Sequence, residues 1–304
     1  MAISAVFASR RFAWALFFLV PAFFASNMLV ARWNAGAIPP VALAFWRWSF
    51  TLALLLPFAA TALWRGRDEI KRQWPSYLWL GFLGMGVCGA PVYLAGVTTT
   101  ATNIGLIYAA SPVVIVLLAW GRYGDAVSWR QAGGIAVCLC GTLWIVGRGD
   151  LGNFVRLQFV AGDLLIVLAM LAWSVYSVAL KHTATGFDAT TRLAAIVAGG
   201  VAVNLPFYAA ETLYVAAPSF DAKTLATFLF VALVPGIGSY LCYSVIIARL
   251  GPSRASLVMY LIPLYGAGLA WALLGEQLAD FHLVGLGLML PGLWLGTARP
   301  TARG

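Results

Sequence analysis

The chain has 304 residues, of which 62% are hydrophobic and 10% charged, and it carries a formal net charge of +9. Soluble domains hold about 45–50% apolar and about 25% charged residues, so this chain lacks the polar surface that a soluble fold needs. Its basic residues lie in small clusters between apolar runs, which predicts an all-α integral membrane protein in contact with anionic lipid and without a nucleic-acid partner.

A spanning helix needs about 20 consecutive apolar residues, and ten segments meet that requirement. The first, 12–32, follows Arg10 and Arg11 as a signal peptide would. It runs on to Arg32 without a small-x-small cleavage site and therefore reads as a spanning helix. Segments 41–63, 76–97, 103–121 and 129–147 follow, then 160–180, 190–213, 224–248, 254–274 and 281–298. The links between them are short and hold the helix breakers, such as Pro39-Pro40 and Gly251-Pro252, so no separate soluble domain is expected. Cys88, Cys138, Cys140 and Cys242 all fall inside apolar runs and read as small buried residues, with no metal or disulfide implied.

Residues 111–125, "SPVVIVLLAWGRYGD", and 262–276, "IPLYGAGLAWALLGE", share their proline, Ala-Trp and terminal acid. At an offset of 151, Pro112 matches Pro263, Trp120 matches Trp271 and Asp125 matches Glu276, while Gly134 and Gly141 match Gly285 and Gly292. At an offset of 149, "FASNMLVAR" (24–32) is similar to "WSVYSVALK" (173–181). The chain is thus expected to be two five-helix repeats, 1–150 and 151–304. Because five is odd, the second repeat would be inverted in the membrane. Inverted repeats are the architecture with which transporters exchange inward-open and outward-open states around a midplane site.

Lys and Arg fix the orientation. With a cytoplasmic N-terminus, 14 of them lie inside and four outside (Arg32, Arg148, Arg156 and Lys223), leaving out Arg47 within the second segment. Both termini are expected on the cytoplasmic side, with Asp125 inside and Glu276 outside. Those two acids are expected to be structural helix-end groups that cap a following segment or pair with a cation, since the helix dipole disfavours them where they stand.

Several features occur together: Ser26-Asn27 in the first segment, "FWRW" (45–48) with Arg47 in the second, and the small-residue-rich end of the third. The Pro…Trp…Gly-acid signature closes segments four and nine, ahead of the Gly-rich fifth and tenth. In these features the chain resembles the drug/metabolite transporter superfamily, in its ten-helix EamA-type branch. The resemblance implies two five-helix bundles around a central cavity built mainly by segments 1, 3, 4, 6, 8 and 9. It also implies export of amino acids and other small metabolites across the bacterial inner membrane. Trp173, Tyr176 and the tyrosines of the cavity-forming segments are similar to the aromatic amino acid exporters of the YddG type.

Ionisable groups inside a membrane are the first functional candidates, and here they are scarce. The first segment has no carboxylate, and Asp150, Asp163, Asp188, Glu211, Asp221, Asp280, His182 and His282 lie near segment ends or in loops. This argues against a buried proton relay and against a cationic drug, whose desolvation without a counter-charge is costly. Recognition is left to aromatic, hydroxyl and amide groups: Asn27, Tyr93, Tyr108, Trp173, Tyr176, Tyr243 and Tyr260. Each also has a plain packing role open to it. Trp173 and Tyr176 are three apart and share a helix face. Arg47, near a helix end, is expected to snorkel and to serve structure or gating. Pro112 and Pro263 are expected to break mid-span hydrogen bonds and act as hinges for the two gates.

The leading expectation is a monomeric secondary exporter of neutral amino acids, preferably aromatic ones, needing no cofactor or metal and working by alternating access. An exporter of hydrophobic drugs or nucleoside-like metabolites is the alternative. An intramembrane enzyme is a distant third, because no His-acid cluster, serine motif or aspartate pair falls within the segments.

Overall fold

The computed structural model describes residues 9–33, 37–150, 152–275 and 277–297. Its apolar runs fold into helices α1 (Arg10–Trp33), α2 (Pro40–Arg65), α3 (Arg67–Gly81), α4 (Ala90–Thr98), α5 (Ala101–Ala109), α6 (Ser111–Tyr123) and α7 (Trp129–Val146). The second half holds α8 (Gly152–Val155), α9 (Ala161–His182), α10 (Ala189–Tyr214), α11 (Ala222–Val231), α12 (Ser239–Leu250), α13 (Pro252–Ala255), α14 (Val258–Leu274) and α15 (Asp280–Gly296). Two π-helical turns, Phe82–Val87 and Ala232–Gly238, interrupt the runs from α3 to α4 and from α11 to α12. No strand occurs among the described residues. Among the described residues, eight stretches are long and apolar enough to cross a membrane, from Pro40–Arg65 to Pro252–Leu273, and Asp280–Gly296 is apolar but shorter. The chain is thus a multi-pass membrane protein.

The helix ends follow from the residues placed there. Thr100, Ser128, Asp188 and Asp221 accept hydrogen bonds from the first free backbone N–H groups of α5, α7, α10 and α11. Gly124 ends α6 and Gly275 ends α14, both at φ +69, a left-handed conformation that glycine adopts without a Cβ clash. These two glycines are the matched ones of the sequence repeat, so the repeat extends to backbone geometry. Asp125, next to Gly124, lies 3.9 Å from His182 Nε2 at the end of α9, and that ring stacks on Tyr123 at 3.6 Å. The expected pairing of this acid with a cation is therefore available when His182 is protonated. Glu276 lies outside the described residues.

Packing is reciprocal between the halves. Helix α2 lies along α10 and α7 along α15, each pair joining equivalent helices. Helix α1 packs on α12 and α14, and its counterpart α9 packs on α4 and α6. The α7–α15 pair is close because glycines face each other. A Cβ on Gly134 would come within 2.2 Å of Gly296 N, and one on Gly292 within 2.8 Å of Cys138 N. Small residues let membrane helices approach to backbone contact, where van der Waals packing replaces the missing hydrophobic drive.

Two expectations require correction. Pro112 does not interrupt a continuous helix: α5 ends at Ala109, and Pro112 stands in the first turn of α6, where an N–H would be free in any case. Pro263 does lie inside α14. Arg47 does not snorkel; it is 4% exposed and points into the bundle.

Candidate functional site

The π-helical turns bring the two halves together. Widening a helix to i→i+5 leaves backbone carbonyls in need of partners, and such turns often mark functional positions. Gly84 O, in the first turn, accepts from the Tyr240 hydroxyl at 2.6 Å. Pro235 O, 151 residues on in the second turn, accepts from Arg47 at 2.8 Å. Asn204 donates to Met85 O at 3.3 Å, and Thr51 donates to Ala232 O at 3.3 Å. Each turn is thus held by side chains of the opposite half.

Around this crossing stands a cluster of rings. Trp173 lies against Tyr176 at 5.5 Å, Tyr243 at 5.0 Å, Tyr240 at 5.6 Å and Phe24 at 5.4 Å. Trp48 meets Tyr240 edge-on at 4.8 Å. The Tyr243 hydroxyl lies 3.2 Å from that of Ser177. Gly84 leaves room for Tyr176, since a Cβ there would stand 2.8 Å from its ring. Trp173, Tyr176, Tyr240 and Tyr243 are buried, whereas Phe24, Asn27, Cys88 and Tyr108 are only half-buried. Tyr108 lies within electrostatic reach of Cys88 and Tyr240.

A polar group adjoins the rings. Arg47 donates to Asn27 Oδ1 at 3.3 Å and to the Tyr93 hydroxyl at 3.2 Å, and Tyr93 donates to the same Asn27 oxygen at 2.8 Å. The guanidinium carbon lies 4.6 Å from the Trp48 ring centre and 6.0 Å from that of Tyr240. The buried acids Asp163 and Glu211 are committed elsewhere. Glu211 accepts from Val41 N at 3.0 Å and Ala42 N at 2.7 Å, closing the start of α2. Asp163 accepts from Thr99, from Asn103 at 2.9 Å and from Val160 N at 2.8 Å, closing the start of α9. Negative charge at a helix N-terminus is favourable.

Six of the seven sequence candidates thus fall in one region: Asn27, Tyr93, Tyr108, Trp173, Tyr176 and Tyr243. Tyr260 lies toward α7, its hydroxyl within electrostatic reach of Cys138 and Cys140 and its carbonyl accepting from Thr142 at 3.4 Å. Phe24, Trp48 and Tyr240 belong to the cluster without being among the sequence candidates. A signal existed for two: Phe24 aligns with Trp173 in the repeat, and Tyr240 is three residues before Tyr243, on the same helix face. A separate apolar trough of about 520 Å³, lined by Leu56, Trp64, Arg67, Trp74, Tyr77 and Gly199, lies on the flank formed by α2, α3 and α10, away from the ring cluster.

Comparison with known proteins agrees with this architecture. A solved crystal structure superposes with a TM-score of 0.72 at 20% identity, covering 95% of this chain and 97% of the other, which is a likeness of fold. An uncharacterized transporter of Archaeoglobus fulgidus is 26% identical over 90% of this chain and 93% of its own length. The aromatic amino acid exporter YddG of Ancylobacter novellus is 27% identical over 52% of this chain and 55% of its own length. The profile of the EamA-like transporter family matches twice, at residues 11–147 and at 160–297, once on each half of the reciprocal bundle. The chain belongs to the EamA-like transporter family.

Proposed function

We propose that this transporter exports neutral amino acids, aromatic ones preferentially, by alternating access between two five-helix halves. The observation that carries the reading is the ring cluster of Phe24, Trp173, Tyr176, Tyr240 and Tyr243, drawn from both halves beside neutral amide and hydroxyl groups. Rings of this kind stack on an aromatic side chain, and their faces attract an ammonium group by about 0.5–2 kcal/mol. The similarity to an aromatic amino acid exporter supports the same substrate class.

In this reading ten helices span a bacterial inner membrane, the second repeat is inverted, and both termini are cytoplasmic. The protein works as a monomer, because ten spans suffice for a complete pathway. Relative movement of the halves opens the cluster to one side and then the other. The π-helical turns, the junction at Pro112 and the break at Pro263 are where the helices bend. Asp163 and Glu211 are engaged at helix starts, so no carboxylate is assigned to a proton relay.

Uptake of labelled tryptophan by proteoliposomes tests the proposal, with phenylalanine, leucine, a nucleoside and a hydrophobic cation as competitors. Competition by the aromatic amino acids, ahead of the nucleoside and the cation, is expected. Stronger competition by the nucleoside or cation would move the substrate class to the alternative reading.

A further inference from the structure

Arg47 carries more charge than its structural task requires. The equivalent carbonyls Gly84 O and Pro235 O occupy matching π-helical turns, and a neutral hydroxyl from Tyr240 is enough for the first. Arg47 serves the second while buried, and its three hydrogen-bond acceptors, Asn27 Oδ1, the Tyr93 hydroxyl and Pro235 O, are all neutral. Its Nε is buried and makes no hydrogen bond. The contact of His182 with Asp125 lies elsewhere. A buried cation without an anion is costly to keep, and removing water strengthens its attraction for one.

The surroundings show where an anion would arrive. Asn27 turns its oxygen toward both Arg47 and Tyr93, so its amide nitrogen faces the other way, and the residue is only half-buried. The Tyr240 ring links the two parts, at 6.0 Å from the Arg47 guanidinium carbon and 5.6 Å from the Trp173 ring centre. That spacing suits a molecule whose carboxylate is separated from an aromatic ring by a short carbon chain. We infer that Arg47, with the Asn27 amide nitrogen, is the carboxylate-binding anchor of the transported amino acid, and that the rings receive its side chain and ammonium group. The inference rests on the functional reading above and adds to it a requirement: the substrate must carry a carboxylate.

Four compounds test it on the purified full chain: tryptophan, indole-3-propionate, which keeps the carboxylate and lacks the amine, tryptophanamide, and tryptamine. Each is measured as a competitor of tryptophan uptake and as a ligand that raises the melting temperature. The two carboxylates are expected to act at concentrations on the order of tenfold lower than the amide and the amine, the scale of one hydrogen-bonded charge contact. Arg47→Gln is expected to abolish that preference and Arg47→Lys to retain it. Equal action of all four compounds on the parent protein, or a preference that survives in Arg47→Gln, overturns the anchor. The parent protein decides the question even if Arg47→Gln fails to fold. A parent that takes up no tryptophan, yet is stabilised selectively by the carboxylates, overturns the functional reading and leaves the anchor standing.

Discussion

Phe24 and Trp173 occupy equivalent places in the two repeats and meet edge to face with ring centres 5.4 Å apart. The rings therefore gather where the halves meet. Gly84 and Pro235 extend the relationship, each carbonyl being held by a side chain from across the same junction. A transporter that moves one half against the other would have to rearrange these contacts.

Trp173 lies against four rings of the cluster, whereas Trp64 is 72% exposed on the flank. Trp173→Ala is expected to reduce tryptophan uptake by about five- to thirtyfold, because removing one stacking aromatic forfeits on the order of 1–2 kcal/mol of contact. Trp64→Ala should leave uptake within about twofold of the parent, as surface substitutions usually cost under about 0.5 kcal/mol. Initial rates in proteoliposomes at matched protein content check this, and equal effects would remove Trp173 from the site.

Gly134 and Gly133 are adjacent but face different surroundings. A Cβ on Gly134 meets the backbone of α15 at 2.2 Å, whereas one on Gly133 meets nothing within 4 Å. Gly134→Ala should lower stability by about 1–3 kcal/mol, the usual cost of overpacking. Gly133→Ala should be neutral or slightly stabilising. Melting temperatures in detergent separate the two outcomes.

Tyr240→Phe keeps the ring and deletes the hydroxyl that holds Gly84 O. The carbonyl would then be left in the bundle without its partner, at a cost of about 1–3 kcal/mol. A fall in melting temperature is expected, together with faster hydrogen exchange around the Phe82–Val87 turn. An unchanged melting temperature would mean that the bond contributes nothing to joining the halves.

Asp188 caps α10, accepting from Thr190 N and from the N–H and hydroxyl of Thr191. Burial pushes its carboxyl upward, but these hydrogen bonds outweigh burial and hold it below the usual carboxylate range. A depressed folded-state value means that the stabilisation is present above the unfolded-state value and is lost as pH falls through the folded one. Asp188→Ala should cost about 1 kcal/mol at neutral pH, and the gap to the parent should shrink as the pH is taken below the usual carboxylate value. A gap that stays constant in acid would contradict the capping role.

The sequence made the helices legible because runs of apolar residues in a membrane protein have few alternatives to helix. It made the halves legible through Pro112, Asp125 and their matches. The π-helical turns were not legible: "GFLGMGVCGAP" and "PGIGS" announce small residues, but nothing local tells close packing from a widened turn. Trp173, Tyr176 and Tyr243 stood out as aromatics at helical spacing. Tyr260, of the same residue type, turned instead toward α7, since hydropathy cannot distinguish a cavity wall from a helix–helix contact when both are apolar. The burial of Arg47 was not legible either, because the Pro235 carbonyl that receives its guanidinium is presented by a turn in the other half.

The most direct test of the central claim is counterflow. Proteoliposomes preloaded with unlabelled tryptophan are diluted into a trace of labelled tryptophan, and label inside the vesicles is followed over time. An alternating-access carrier for aromatic amino acids should accumulate label transiently above the equilibrium level, with preloaded phenylalanine acting in place of tryptophan. Entry of label with no dependence on the preload, or no entry above empty vesicles, would contradict the account.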